Sequence, residues 1–301
     1  MEKILIAGGT GLIGQEIIKT LSEEQYIVHI LSRSEHENSE NIKYFHWDTS
    51  TMEIDHAALD VDYIINLAGA GIADKRWSDS RKKVIIESRV KTADLIRKGL
   101  EESGFRPKLY LSASAIGYYG DSGDQLMDES SKPVDKGFLS TVTVQWEDAA
   151  LTLKPYVEHG VTIIRIGVVL AKDGGAFPKI LLPFKMGMAS YFGNGEMYYS
   201  WIHVKDVAKI FIHCLKNKLS GTYNAVAPEV VTNKEMVKTI KDVKGGIAIL
   251  NSVPEFALRI AMGEMADVVL TSNRVSSQKI KESGFKFKYA GLEKALSDLL
   301  D

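Results

Sequence analysis

KILIAGGTGLIGQEIIKTL, residues 3–21, joins an apolar run to a helical pattern through a loop that contains four glycines. The run ILIA predicts a short buried strand, and the spacing of Ile13, Ile17 and Leu21 predicts a helix with one apolar face. Where such a helix begins, its free amide groups and the positive end of its dipole favour anionic oxygen. The stretch therefore predicts a strand–loop–helix unit that either binds phosphate or makes a plain tight turn.

Three of the glycines, Gly8, Gly11 and Gly14, form a GxxGxxG pattern between the strand and the helix. In dinucleotide-binding units such glycines allow a tight turn, a close approach of the backbone to a pyrophosphate, and close packing of the helix on the strand. The unit comes first in a series of strands and helices, which favours dinucleotide binding over a structural turn. We expect the dinucleotide to contact the loop and the first helical turn: Gly8, Thr10, Gly11, Leu12, Ile13 and Gly14.

The first half of the chain alternates short apolar runs with helical patterns. Strands are predicted at 3–7, 26–31, 43–47, 61–69, 108–114 and 161–170, and long helices at 78–103 and 137–155. Apolar strands separated by helices are typical of parallel sheets that are covered on both faces, with right-handed crossover connections. The sequence therefore predicts an α/β fold of the Rossmann type, built on a doubly wound parallel sheet.

A change of character after Leu170 predicts a smaller second lobe. Residues 171–201 mix glycine, proline, methionine and aromatic residues without steady periodicity, which favours a segment that lines a pocket over a plain surface loop. A helix over 203–215 and a strand over 221–227 are predicted next, and the remaining tail is mostly helical. We expect two units: an NADP-binding domain over 1–170, to which 202–227 returns, and a substrate-binding, mostly helical C-terminal lobe within 171–301.

The composition argues against several classes of function. The 301 residues are 45% hydrophobic, and their net charge of −2 provides no general field that would recruit nucleic acid or an anionic membrane. A single cysteine, Cys214, leaves no internal disulfide and no cysteine spacing typical of a metal site. No segment approaches the roughly 20 apolar residues of a membrane span, and the sequence has no secretory signal. We expect a cytoplasmic protein without a metal, and with neither nucleic acid nor a membrane as partner.

The residues that follow the second predicted strand bear on the choice between NAD and NADP. An acidic residue there binds the ribose 2′-hydroxyl of NAD, whereas an arginine accommodates the 2′-phosphate of NADP. Ser32 and Arg33 stand at this point, and Glu35 follows two residues later as a rival ligand. Because a guanidinium is always charged and matches the geometry of a phosphate, we predict NADP as the cofactor. The alternative is that Arg33 is only a surface charge.

Further motifs follow along the chain in a consistent order. After AGGTGLIG come NLAG (66–69), LSASAIGYYG (111–120) and SWIHVKDVA (200–208). Together they resemble the short-chain dehydrogenase/reductase superfamily, in particular its extended, epimerase-like branch. For the cofactor, the resemblance implies that Asp48 lies near the adenine and that the NLAG residues Leu67, Ala68 and Gly69 flank the dinucleotide.

A narrower resemblance rests on four more segments. These are RWSDSRKKVIIESRV (76–90), GYYGD (117–121), WEDAA (146–150) and GEMADVVL (263–270). They are similar to an atypical subgroup usually labelled "epimerase family protein", sometimes "cell-division inhibitor-like", with a characteristic C-terminal helical domain. Extended relatives often dimerise through the two long helices, so the resemblance suggests a homodimer, although no exposed apolar stripe on these helices decides it.

The catalytic pair of the superfamily is missing. Its oxidoreductases use Tyr-x-x-x-Lys, in which one helical turn brings the ammonium close to the phenol and makes the phenol a usable acid or base. When the helix is aligned on the acid of WED, these positions fall on Leu139 and Thr143, and none of the 12 tyrosines has a lysine four residues later. We expect Leu139 to point into the core, while Thr143 borders the cofactor.

Substitutes for that pair can be named from position alone. Ser112 and Ser114 stand at a strand end, beside the expected nicotinamide, and we take Ser112 as a cofactor contact. Ser114 and Tyr118 are the candidate catalytic residues, with Tyr119 as a second phenol, although a tyrosine in GYYGD could simply pack.

For three other polar residues, a structural role is expected rather than a catalytic one. His203 opens a helix, where a hydrogen-bonding histidine is more common than a base. Asp206 either orients it or is a solvated helix acid, and Arg165 is a candidate partner for a buried acid.

Two functional hypotheses follow. The first is an NADP-dependent oxidoreductase or epimerase-like enzyme with rearranged acid–base groups and an unknown small-molecule substrate. The second is a non-catalytic NADP-binding protein, whose nucleotide stabilises or switches it for a partner. The glycines and aromatic residues of YFGNGEMYYSW (191–201) favour a substrate, whereas the lost pair favours the second hypothesis.

Overall fold

The computed structural model describes residues 1–22, 24 and 26–301. Its strands are β1 Glu2–Ala7, β2 Tyr26–Ser32, β3 Ile42–Asp48, β4 Glu53–Ile54, β5 Tyr63–Asn66, β6 Leu109–Ala115, β7 Leu126–Met127, β8 Val161–Ile166, β9 Val168–Ala171, β10 Gly174–Gly175, β11 Met188–Phe192, β12 Tyr198–Tyr199, β13 Trp201–His203, β14 Gly221–Ala225, β15 Val231–Thr232, β16 Ile249–Val253 and β17 Arg274–Val275. Its α-helices are α1 Leu12–Leu21, α2 Asp79–Ser103, α3 Phe138–Leu151, α4 Phe177–Leu181, α5 Val204–Lys216, α6 Asn233–Lys244, α7 Glu255–Met262, α8 Asp267–Leu270, α9 Gln278–Glu282 and α10 Leu292–Leu300.

The main sheet has eight strands in the described part of the chain, in the order β14-β8-β6-β5-β1-β2-β3-β4. Neighbouring strands are parallel except at the edge, where β4 runs antiparallel to β3. The chain moves outward from β1 through β2 and β3, and then crosses back to place β5 on the other side of β1. The predicted doubly wound parallel sheet is confirmed. Its topological switch point lies between β1 and β5, where ligands bind at the carboxyl ends of the strands.

The two faces of β1 show why the sheet forms. Ile4 and Ile6 belong to one apolar cluster that includes α1 and α5, while Leu5 and Ala7 belong to a second one that includes α2 and α3. All four side chains are fully buried. Because helices cover both faces, the strand is continuously apolar and does not alternate with polar residues.

The sixth predicted strand, 161–170, is wrong in one respect. It is interrupted at Gly167, so that β8 stays in the main sheet and β9 pairs with β13 in a separate small sheet. A Cβ atom at Gly167 would lie 2.3 Å from the carbonyl oxygen of Ser200. The absence of a side chain therefore lets a second segment approach the backbone where the chain leaves the sheet.

The C-terminal half contributes a third apolar cluster. It contains Phe177 of α4, Trp201 of β13, Met236 of α6 and Leu296 of α10. Beside it, β11 pairs in parallel with β16. In contrast, α5 and β14 belong to the sheet domain, because Phe211 packs in the first cluster and β14 extends the sheet beyond β8. Among the described residues, no helix has the length and apolar character needed to cross a membrane.

Candidate dinucleotide and active site

The glycine loop between β1 and α1 is a tight cradle made of backbone. Gly8 has a φ of +83°, a conformation that favours glycine. A Cβ atom on Gly14 would lie 2.5 Å from the carbonyl oxygen of Gly8, so helix α1 can pack on the loop only with glycine there. Gly11 meets only that same oxygen, at 3.3 Å, and is otherwise open. The loop therefore has one sealed side, at Gly14, and one accessible side, at Gly11.

Helix α1 starts at this accessible side. Gly11 is its N-cap, and no side chain caps the first turn. The amide groups that begin a helix have no partner within the helix itself, and together with the helix dipole they bind anions well. The arrangement fits the pyrophosphate of a dinucleotide.

Strand register brings the other predicted cofactor residues to the same edge of the sheet. Ala7, the last residue of β1, pairs with Leu31 on one side and Asn66 on the other, so the segments that begin at Ser32 and Leu67 flank the glycine loop. Arg33 is exposed, and the Ser32 hydroxyl accepts a hydrogen bond of 3.1 Å from the amide of Ser34.

Asp48 ends β3 at the same edge. Its carboxylate accepts hydrogen bonds from the hydroxyl and the amide of Ser50, at 2.6 and 2.7 Å. These bonds lower the pKa of Asp48, so the group is charged at neutral pH. Asp48, which is predicted to lie near the adenine, is therefore a charged carboxylate whose orientation is fixed by Ser50.

The turn after β5 is organised by Asn66. Its side-chain oxygen accepts a 3.1 Å hydrogen bond from the amide of Ala68, and its amide group donates a 2.8 Å bond to the hydroxyl of Tyr110. Ala68 and Tyr110 are buried, whereas Gly69 is exposed. The turn therefore presents the backbone of 67–69 to the glycine loop, where a Cβ atom on Gly8 would touch Ala68 at 3.0 Å.

A buried arginine lies directly beneath this turn, and sequence reasoning missed it. Arg89 of α2 donates to the carbonyl oxygens of Ala70 and Ile85, at 3.0 and 2.9 Å, and its guanidinium carbon lies 4.7 Å from the ring centre of Trp146. Burial, together with the charge of Arg81, lowers the pKa of Arg89 to about 10, so it remains charged at neutral pH. Among the described residues Arg89 has no carboxylate partner within 4.0 Å. Nothing in the helical pattern of α2 distinguishes this arginine from its exposed neighbours.

At the end of β6, a buried network joins four segments of the chain. Ser114 donates a 2.6 Å hydrogen bond to Glu147, and Arg165 contacts both carboxylate oxygens of Glu147 at 2.8 Å. Arg165 also donates to the hydroxyl of Tyr119, which in turn donates to Asn224. Burial alone would lower the pKa of Arg165, but its hydrogen bonds to Glu147 and the charge of that carboxylate raise it. The predicted pairing of Arg165 with a buried acid is present.

The two predicted serines lie deeper than expected. Ser114 is 2% exposed, and its hydroxyl is engaged by Glu147. Ser112 is fully buried and donates to the carbonyl oxygen of Ala113. Both hydroxyls are buried where α3 packs against β6. Contact of Ser112 with a cofactor and of Ser114 with a substrate stays a prediction.

Tyr118 is less deeply buried than these serines. It is half-buried, and the guanidinium carbon of Arg165 lies 3.4 Å from the centre of its ring. Tyr119 is fully buried, and burial, only partly offset by Arg165, raises its pKa to about 12. Of the two phenols, Tyr118 is the more exposed.

Helix α3 carries both positions of the missing pair, and Leu139 lies elsewhere than predicted. Leu139 is only half-buried and lies against the turn that carries Tyr118, where a Cβ atom on Gly117 would approach it at 3.4 Å. Thr143 is 4% exposed and donates to the carbonyl oxygens of Leu139 and Ser140. The prediction that Leu139 enters the core is wrong, because it sits near the first turn of α3, where the helix reaches the rim of the sheet.

His203 and Asp206 hold the start of α5 to the C-terminal tail. The fully buried His203 accepts a hydrogen bond from the amide of Lys205 and stacks on Tyr289 at 3.9 Å, and burial lowers its pKa to about 4. Asp206 is also fully buried and accepts from the amides of Lys288 and Tyr289. The structural interpretation of His203 agrees with these contacts. Asp206 neither orients it nor is solvated.

The segment 171–201 lines a cavity, as its composition predicts. The cavity has a volume of about 570 Å³ and lies in the C-terminal half of the chain. Its lining residues are Leu182, Pro183, Lys185, Met186, Met188, Ser190, Phe192, Val253 and Leu258.

The sheet with its switch point, the glycine cradle and the edge of strand ends define a Rossmann-type nucleotide-binding protein. Residues 4–226 match the model of the NAD dependent epimerase/dehydratase family, and residues 253–299 match a domain of unknown function, DUF1731. The chain belongs to the NAD-dependent epimerase/dehydratase family, as the motifs predict. Its C-terminal residues carry the domain expected for the atypical subgroup.

Similar proteins carry the label of that subgroup. Epimerase family protein SSP1921 of Staphylococcus saprophyticus is 34% identical over 302 residues, covering 100% of each chain. Epimerase family protein YfhF of Bacillus subtilis is 34% identical, covering 99% of this chain and 97% of its own. The human epimerase family protein SDR39U1, whose crystal structure contains NADPH, is 28% identical with a TM-score of 0.87, covering 99% of each chain. A nucleoside-diphosphate sugar epimerase from Corynebacterium glutamicum has 28% identity and a TM-score of 0.77, covering 99% of this chain and 58% of its own.

Proposed function

We propose that the protein is an NADP(H)-dependent oxidoreductase in which Tyr118 replaces the missing Tyr-Lys pair as the acid–base group. The observation that carries the proposal is the accessible phenol of Tyr118 on the buried Arg165–Glu147 pair, at the carboxyl end of β6. This strand neighbours β5, whose end carries the turn 67–69. We therefore expect the phenol to lie beside the nicotinamide.

The residues at the edge of the sheet fit a nicotinamide dinucleotide. The amides at the start of α1 and the open side of Gly11 would hold the pyrophosphate, and the backbone of 67–69 would flank the nicotinamide half. Asp48 would border the adenine. When bound, the dinucleotide supplies or accepts a hydride at its nicotinamide ring.

NADP is the better match of the two dinucleotides. Arg33 is exposed at the end of β2, free to turn toward a 2′-phosphate, and a guanidinium suits that group in charge and shape. The human relative bound to NADPH supports this choice. Glu35, also exposed, is the residue that would favour NAD instead.

The acid–base step follows from the surroundings of Tyr118. In a reduction, its hydroxyl donates a proton to the oxygen of a carbonyl substrate; in the reverse oxidation, the phenol oxygen takes the proton back. The positive charge of Arg165 at the ring face stabilises the negative charge that develops on the phenol during the transfer. Glu147 and Ser114 fix Arg165 in place, so Ser114 acts as a positioning residue.

The test is a screen of NADPH oxidation across carbonyl compounds, followed by Tyr118→Phe on any substrate found. Removal of a general acid should lower kcat by 10²–10⁴-fold, while the Kd for NADPH stays unchanged. Tyr156→Phe is the matched control. Tyr156 lies in the turn that precedes β8, whereas Arg165 lies at the other end of this strand. An unchanged rate in the Tyr118 variant would overturn the assignment.

A second function is favoured by one observation. Leu139 and Thr143 stand where the resemblance expects the Tyr-Lys pair, and neither can transfer a proton at neutral pH. A non-catalytic NADP-binding protein would show tight NADPH binding and no turnover with any carbonyl, alcohol or nucleotide-sugar pool. That result would replace the enzyme by a nucleotide-bound regulator.

A further inference from the structure

The cavity in the C-terminal half is almost entirely apolar. Of its nine lining residues, only Lys185 and Ser190 are polar. The Ser190 hydroxyl is already used, because it donates a 3.0 Å hydrogen bond to the side-chain oxygen of Asn251. Lys185 is exposed, so its ammonium can stay in water while the rest of the lining meets a ligand. The volume of about 570 Å³ lies within the range of small-molecule sites.

Side-chain contacts attach the walls of this cavity to the cofactor side of the molecule. Lys179 of α4, which ends just before the lining residue Leu182, donates to the carbonyl oxygen of Ala73 at 3.2 Å. Arg76 donates to the carbonyl oxygen of Ile260 in α7, the helix that supplies Leu258, at 3.1 Å. Both contacts are made by the segment that directly follows Gly69. The walls of the cavity are therefore joined to the segment that follows the turn 67–69, which the proposed function puts beside the nicotinamide.

A contact at the start of the same segment supports this placement. A Cβ atom on Gly174 would lie 3.1 Å from the side chain of Leu12, in the first turn of α1. From there the chain reaches Leu182 through α4, whose five residues span on the order of 8 Å. One short helix thus connects the glycine cradle to the apolar cavity.

From these contacts we infer that the cavity binds the aliphatic tail of the substrate, so that the substrate is a straight-chain aldehyde, ketone or alcohol. This inference rests on the proposed function, whose site it extends. The flexible side chains of Met186 and Met188 suit chains of varied shape. Leu182 and Met186 are 56% and 75% exposed, and a bound chain would cover their apolar surface.

The lining argues against a nucleotide sugar in this cavity. A sugar and a diphosphate carry many oxygen atoms, each of which needs a hydrogen-bond donor or a cation when it leaves water. The lining offers one exposed ammonium and a hydroxyl that is already engaged. The class named for the Corynebacterium relative therefore does not match the chemistry of these walls.

Chain-length dependence is the direct test. In the NADPH-loaded protein, the dye 1-anilinonaphthalene-8-sulfonate is displaced by straight-chain alcohols of increasing length, and the same series of aldehydes is used as substrates. Each buried methylene should lower the displacement constant and KM about fourfold until the cavity is full. The displacement assay does not need turnover. It therefore separates a failure of this inference from a failure of the proposed enzyme.

Variants at the rim sharpen the result. Leu182→Gln and Met186→Gln change exposed residues, so the fold should be kept while the gain per methylene falls. Ile247→Gln is the matched control, because Ile247 is 96% exposed and does not line the cavity. Met188→Trp should fill the cavity and move the length optimum to shorter chains, whereas a general loss of folding would weaken all lengths equally.

Two outcomes would overturn the inference. The first is a displacement constant that does not change with chain length, with or without turnover of short carbonyl compounds. The second is a dimer in sedimentation that Leu182→Gln converts to monomer while alcohols have no effect. In that case the apolar walls would be an interface between two copies of the chain.

Discussion

The glycine cradle and the network around Glu147 lie a few strands apart on the same sheet, yet they are built from different parts of the chain. The cradle consists of backbone atoms from one stretch, Gly8 to Gly14, and works because side chains are absent. The network consists of side chains from β6, the turn that follows it, α3, β8 and β14, which are joined by charge and hydrogen bonds. A local site of backbone is sensitive to added volume, whereas a distributed site of side chains is sensitive to lost partners.

The largest effect should come from the network. Glu147→Ala leaves the guanidinium of Arg165 buried without its carboxylate, which costs about 3–5 kcal/mol when one partner of a buried pair is removed. Chemical denaturation should report this loss in the free energy of unfolding. Glu101→Ala is the control, because Glu101 pairs with Arg97 at the exposed face of α2, where a pair contributes about 0–1 kcal/mol. Equal losses in the two variants would remove the distinction between the regions.

The next effect concerns the cofactor edge and tests the role of Arg33 in the choice between NADP and NAD. A hydrogen bond to a charged group contributes about 1.5–3 kcal/mol, so Arg33→Ala should weaken NADPH about 10- to 100-fold and leave NADH unchanged. Isothermal titration with both nucleotides measures the difference. Glu35→Ala serves as the comparison, because weaker NADH binding in that variant, with Arg33→Ala neutral, would reverse the predicted preference.

The third effect tests the cradle from its two sides. Gly14→Ala forces a Cβ atom into the carbonyl oxygen of Gly8 and should destabilise the fold by about 1–3 kcal/mol. Gly11→Ala adds a Cβ atom on the open side, so stability should change little while nucleotide affinity falls, and Gly11→Val should abolish binding. Thermal melts and NADPH titrations of the three variants provide the comparison. If Gly11→Ala were unstable and still bound NADPH normally, the loop would be only a turn.

The same contrast explains which residues could be predicted. The glycine loop, Arg33 and the NLAG turn could be predicted because each lies within a few residues that directly follow an apolar strand. Arg89 and Glu147 lie within ordinary helical patterns, and nothing within α2 or α3 indicates which polar positions face inward. The depth of Ser114 and the half-burial of Leu139 depend on how α3 packs across β6. The spacing of residues within either segment does not determine that packing.

The sequence by itself determined the doubly wound parallel sheet and the glycine-rich loop between its first strand and first helix. Apolar periodicity and glycine spacing act over one turn or one strand, and those distances lie within the sequence window that carries them. Only the tertiary structure decided that Gly167 breaks a strand, that Glu147 meets Arg165 and Ser114, and that Tyr118 is the accessible phenol. Those outcomes depend on packing between segments 18 to 105 residues apart. At such separations the identity of a contact is set by the fold as a whole.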